Sequence, residues 1–230
     1  LNRAVLVLAP AGALLAVAGA FLYPAALGGG GYLGLAGAVV APAVCVVLLR
    51  WGPTAVPAAP AVAARIGATA GLIAGALYAA EGLAEYLSAG VTDASVTIGW
   101  IIVGGLVTAT VIAAATASVR VGTVRAGVIA AVHCAVSEYL VWYPAVLIAY
   151  YAFRNSGAIE RVWRAEGIYD DFARSGMSDI RAFVLQDFWG AGFFHLLAGL
   201  VIAGIFGTLA ALAGRLGLRL RPAGSATRPG

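Results

Sequence analysis

No lysine occurs among the 230 residues, so all fourteen basic side chains are arginine. Charge of either kind is scarce, at 10% of the chain, with ten acids and two histidines. A water-soluble domain carries roughly 25% charged residues. The chain also lacks the motifs of several enzyme classes. There is no G-x-x-x-x-G-K-[ST], so no nucleotide-driven pump is indicated. There is no H-E-x-x-H zinc helix, and no G-x-S-x-G nucleophile elbow supports a Ser–His hydrolase, an alternative that Ser88 and Ser137 leave open. The two cysteines, Cys45 and Cys134, form no C-x-x-C and sit in apolar runs, so they read as small core residues. No motif specifies a cofactor, and no catalytic residue is assigned.

What fills the sequence instead is apolar. Hydrophobic residues make up 62%, and the mean hydropathy is +0.96. One core could not hide that much apolar surface from water, so lipid is the solvent the chain requires. A bilayer core is crossed by about 20 apolar helical residues. Six stretches qualify: 4–23, 31–49, 66–87, 96–118, 126–150 and 188–213. Open strands would leave backbone groups unpaired in lipid, and none of these runs alternates as a barrel strand does. The expected fold class is an all-α integral membrane protein. Residues 1–213 form a single six-helix bundle with an amphipathic extracytoplasmic loop helix, and 214–230 a basic, disordered cytoplasmic tail.

Arginine placement gives the sidedness. Arg3, the pair Arg50 and Arg65, the pair Arg120 and Arg125, and the tail arginines from Arg215 onward all fall on one side. The other side has the neutral turn 28–31, a short loop with Asp93, and a long mixed-charge loop, 152–187. Both termini are therefore expected in the cytoplasm. A composition rich in Ala, Gly, Val and Arg suggests a GC-rich bacterial genome, and with it an inner-membrane location. An alternative reading of the first stretch is a cleaved signal peptide, "AVAGA" resembling its cleavage site. That would leave five spans without altering the remaining arginine pattern.

The link "WGPTAVPAAP" is expected to be extended. In the outer loop, Ile159, Val162, Trp163, Tyr169 and Phe172 are spaced as an amphipathic helix weakened by Gly167. It would lie on the membrane or cap the bundle, with Ser178 capping the next helix and Asp179 in its first turn. "AEYL" (84–87) recurs as "SEYL" (137–140), and "YPAAL" (23–27) as "YPAVL" (143–147). In so uniform a composition these short matches are ascribed to chance.

Ionisable residues inside spans are costly and usually face the bundle interior. At about 1.5 Å of rise per residue, Glu85 lies roughly 3 Å from the outer end, Glu81 roughly 9 Å, His195 roughly 10 Å, Glu138 roughly 15 Å and His133 roughly 22 Å. Glu81, Glu138 and His195, with Tyr78, Tyr139 and Tyr143 at similar levels, would form a pocket for an ion, proton or substrate, with Glu85 at its mouth. Glu81, Glu138 and His195 are also the candidates for a metal site. Gly192, Gly199, Ala203 and Gly207 share a face with His195, so a neighbouring helix can approach it closely. The depth difference between His133 and His195 argues against a shared haem iron. Packing alone is a competing account of each buried polar residue, strongest for His133 and Glu85.

These features favour a multi-pass protein that moves a small solute or cation with proton coupling. One alternative is a structural subunit of a larger membrane complex. Another is a quinone- or redox-handling membrane protein. The expected partners are the lipid bilayer, a small solute or cation, and other membrane subunits or a second copy. Nucleic acid is not among them, because anionic headgroups account for the arginines.

Overall fold

In the computed structural model, residues 2–54, 59–87 and 93–220 are described, and among them every regular element is helical. The central part of the expected extended link (55–58) and all of the expected disordered tail beyond residue 220 lie outside the described residues. So does most of the short loop before Asp93.

The long helices are α1 (Asn2–Leu22), α2 (Gly31–Thr54), α3 (Ala59–Leu87), α4 (Asp93–Val121) and α5 (Val124–Phe153). Two short helices follow, α6 (Gly157–Ala165) and α7 (Ile168–Ser175). The chain then runs through α8 (Ile180–Ile202), a π-helical turn (Ala203–Gly207) and α9 (Thr208–Arg219). Among the described residues, five helices are long and apolar enough to cross a membrane: those containing 31–50, 61–87, 97–121, 124–153 and 180–217. In α1, the apolar stretch Val7–Leu22 covers the residues whose side chains are described. Large apolar side chains cover the outside, among them Leu14, Phe21, Ile73, Leu77, Ile101, Phe194 and Val201. Such a surface is stable against acyl chains and not against water. The chain is a multi-pass membrane protein.

Helix α5 is the axis of the bundle and packs against α1, α2, α3, α4, α8 and α9. Its small residues make this possible. Gly67, Gly71 and Gly75 of α3, four residues apart, face Ala130, Cys134 and Glu138 of α5, also four apart. A methyl group on any of these glycines would collide with the opposing backbone carbonyl. This is the close approach that spaced glycines permit in lipid, where packing must do the work that water does for soluble bundles. On the other flank, Gly192 lies against the Tyr143 ring, Gly199 against Ala135 and Gly207 against Ala131. The α5 helix runs unbroken through Pro144.

The last span runs from Ile180 through the π-helical turn to Arg219, so residues 214–219, expected in a disordered tail, are helical, and its packing partners change at the turn. Before the turn α8 packs on α2 and α5, and after it α9 packs on α4 and α5. A single-turn π-bulge is a common means of re-aiming a helix. Ser118 of α4 fastens the far side by donating to the Ala211 carbonyl at 2.7 Å.

The loop helix divides in two at Gly167, whose φ of +74° suits glycine. Ile159, Val162 and Trp163 of α6 are buried, and Ile159 and Trp163 belong to the main core, so α6 caps the bundle. Ser156 starts α6 by accepting from Ile159 N–H at 3.3 Å. The cap of α8 is Asp179, not Ser178. Its carboxylate accepts from Arg181 N–H at 2.9 Å and Ala182 N–H at 3.4 Å, because the extended backbone falls at Asp179, one residue later than expected. Cross-links hold this end together: Tyr150 Oη donates to the Arg181 carbonyl at 2.7 Å, Tyr151 Oη to the Leu15 carbonyl at 2.8 Å, and Arg154 Nε to Tyr23 Oη at 2.6 Å.

Candidate functional site in the α3, α4, α5 and α8 pocket

The site begins with two helices that bring opposite chemical characters to one level. Glu138 rides on α5, its backbone seated against Gly75 of α3. His195 rides on α8, set by the contacts of Gly192 and Gly199 with α5. His195 Nε2 lies 3.0 Å from both Glu138 carboxylate oxygens. The bond forms either with Nε2–H donating to the carboxylate or with a protonated carboxyl donating to Nε2, so one proton serves both groups. The Glu138 side chain is 8% exposed and that of His195 20%. A carboxylate so shielded requires a partner, and the imidazole supplies it.

Aromatic rings fix the imidazole from the side. Trp142 stacks on His195 with centroids 4.1 Å apart and 23° between planes. Tyr78 of α3 stacks on Trp142 at 5.4 Å and reaches His195 at 5.6 Å. The pair opens into a cavity of about 170 Å³ between α3, α4, α5 and α8. Its walls are mostly apolar: Ala74, Val103, Leu106, Val107, Ala135, Ala198, Gly199 and Ile202. Thr110 and Cys134 add a small polar patch, the hydroxyl lying 3.7 Å from the thiol sulfur while bonding to the Leu106 carbonyl at 3.1 Å.

The residues singled out from sequence divide into three groups. Glu138 and His195 meet. Glu81 and Glu85 do not line this cavity. Gly75 marks the level of Glu138 on α3, and Glu81 is six residues farther on, roughly 9 Å toward the helix end. A Cβ on Gly99 would lie 3.4 Å from the Glu81 carboxylate, so that carboxylate abuts α4. One acid and one imidazole share the cavity, with the second acid two turns above them. Among the described residues, no three His, Cys, Asp or Glu side chains are gathered to hold a metal ion.

Tyr139 and Tyr143 belong to the main core, stacked on each other at 5.4 Å. Both hydroxyls are buried with no hydrogen-bond partner among the described residues. His133 is buried, its Nδ1 bonded to the Ile129 carbonyl at 2.9 Å. Thr110 and Cys134 in the pocket wall, and Trp142 stacked on His195, were not expected. The signal for the seam that positions them was present as Gly67, Gly71 and Gly75 at four-residue spacing.

Above the pocket, Glu166 follows α6 and faces Glu85, Asp187 and Glu81. Partial burial, then repulsion from those three acids, pushes its carboxyl above the ordinary 4.5. Its side chain keeps an exposed face, so the loss of hydration is incomplete. At the opposite end of the bundle, Arg215 lies beside Gly122 in the turn that also carries Arg120 and Arg125. Comparison of the chain with known protein families, with curated sequences and with solved structures gives no match.

Proposed function

We propose that the chain is a six-span bacterial inner-membrane protein that moves a small solute, with proton exchange at the Glu138–His195 pair. One observation carries this reading: a desolvated acid and an imidazole on two different spans share a hydrogen bond inside a cavity. Such a pair holds a proton between two helices. A change in their spacing, or a ligand that takes over one side of the bond, alters where that proton resides. The π-helical turn two turns beyond His195 supplies a place where α8 can shift against α5. The mostly apolar walls favour a solute with a small polar group over an inorganic ion.

In this reading both termini are cytoplasmic, and α6 with α7 is an extracytoplasmic cap. The arginines near the α4–α5 turn and α9 then meet anionic lipid. Glu81 and Glu85 line the approach, one turn apart on α3. The stacked rings of Tyr78, Trp142 and His195 favour a second reading, in which the pocket handles a flat aromatic ligand such as a quinone.

The test uses proteoliposomes with an internal pH-sensitive dye and a panel of chemically varied solutes. Wild-type protein gives a solute-dependent proton signal, and Glu138→Gln, still folded and inserted, loses it. Undiminished proton movement in that variant removes the mechanism. A bound quinone in the purified protein, with no solute response, selects the second reading.

A further inference from the structure

A second cavity lies against the first. It is a cleft of about 340 Å³ between α3 and α4, lined by Ala70, Ile73, Leu77, Ile101 and Gly105 among others, with no charged side chain in its wall. Ala74 and Leu106 line both spaces. Leu106, half-buried, is the only large side chain common to the two walls. The rim residues Ile73, Leu77 and Ile101 are 59%, 60% and 67% exposed, which in a bilayer means exposed to acyl chains. Gly104 and Gly105 have open space where a Cβ would stand. The cleft is therefore not sealed by its own helices, and it leads from the lipid side toward the one polar pair.

We propose that the ligand is a lipid-soluble amphiphile that enters between α3 and α4 from the hydrocarbon region. Its small headgroup bonds to Glu138 and His195, its apolar tail lies in the α3–α4 cleft, and Leu106 is the gate. This rests on the reading of the pair as a ligand site and names the class of ligand. The chemistry of the walls decides the class. An inorganic ion or a sugar would lose its hydration along an apolar cleft without compensation. A tail gains nothing from leaving lipid, but it lets a headgroup reach the pair without crossing the charged outer cap. The cleft volume is at the low end of small-molecule pockets, ~300–1,000 Å³, which suits a slender tail.

The probe is a long-chain alcohol with a photoactivatable diazirine beside its hydroxyl, applied to the full chain in lipid nanodiscs. Peptides are then mapped by mass spectrometry. Wild-type protein is expected to give saturable adducts on Glu138, competed by the unlabelled alcohol. Gly105→Phe, whose Cβ enters open space and whose ring adds bulk at the cleft wall, lowers that adduct about tenfold. Leu106→Ala raises it. Should the phenylalanine variant not fold, the alanine variant decides alone, since it adds no volume. Adducts spread evenly and without saturation over the lipid-facing helices overturn the proposal, as does a Glu138 adduct indifferent to both substitutions. If the labelling follows the cleft but Glu138→Gln keeps its proton signal, the proton-coupled reading fails and the amphiphile site stands. If that signal is lost while the cleft variants change nothing, the converse holds.

Discussion

Substituting Gly75 with alanine tests how the site is positioned. The Cβ of alanine there would lie 2.6 Å from the Glu138 carbonyl oxygen and 3.0 Å from both Glu138 Cα and Val141 Cβ. Ordinary contact begins near 3.4 Å, so α3 and α5 must separate by several tenths of an ångström. The first neighbours are backbone and a β-branched side chain, which cannot swing aside. Overpacking of a tight seam costs about 1–3 kcal/mol. Alanine's helix preference over glycine returns about 1 kcal/mol, leaving a net loss of roughly 0–2 kcal/mol. Gly104→Ala is the control, because its Cβ enters open space and only the helix preference acts. Thermal unfolding in detergent, followed by loss of monodisperse protein, should rank Gly75→Ala below wild type and Gly104→Ala at or above it. The displaced Glu138 should also weaken labelling or solute response more than stability alone accounts for. A Gly75→Ala protein as stable and as active as wild type would refute the seam as the positioning device.

Two further outcomes follow from the same geometry. The Glu166 carboxyl is raised above 4.5 in the folded protein, so the folded state binds that proton more tightly than the unfolded. Its contribution is full below the ordinary carboxyl value and disappears as pH rises through the raised one. Hydrogen exchange of residues 157–175, corrected for the intrinsic pH dependence, should show the cap loosening over that rise, and Glu166→Gln should flatten the response. An equally steep response in the glutamine variant would assign it elsewhere. Tyr143→Phe removes a buried hydroxyl that bonds to nothing described, while keeping the ring against Gly12 and Gly192. Unfolding should be unchanged or later, by about 1 kcal/mol at most. A clear loss of stability would show that the hydroxyl is bonded.

The long helices were legible because lipid imposes a simple rule of length and hydropathy. Where the rule is weakest, so was the reading. The last span extends through a π-helical turn that no local composition announces. Depth along each helix placed Glu138 and His195 within reach of one another. It could not fix their azimuth, which depends on packing. Tyr139 and Tyr143 follow Glu138 closely in sequence yet pack into the main core, while Trp142, four residues from Glu138, falls beside His195. Measuring Glu81 from the end of its own helix ignored the register with α5, which the glycines at 67, 71 and 75 set. Had the three been read as a contact stripe, Glu81 would have been placed above the pair.

The account stands on one hydrogen bond between two spans, and the two histidines make it observable. Protein labelled with ¹⁵N-histidine in bilayers should give two pairs of ring-nitrogen signals, and the pair removed by His133→Gln leaves that of His195 assigned. Glu138→Gln is expected to move the His195 Nε2 resonance strongly, and Glu81→Gln to leave it in place. A His195 signal unaffected by Glu138→Gln would mean that the imidazole and the acid do not meet, and the site would dissolve with them.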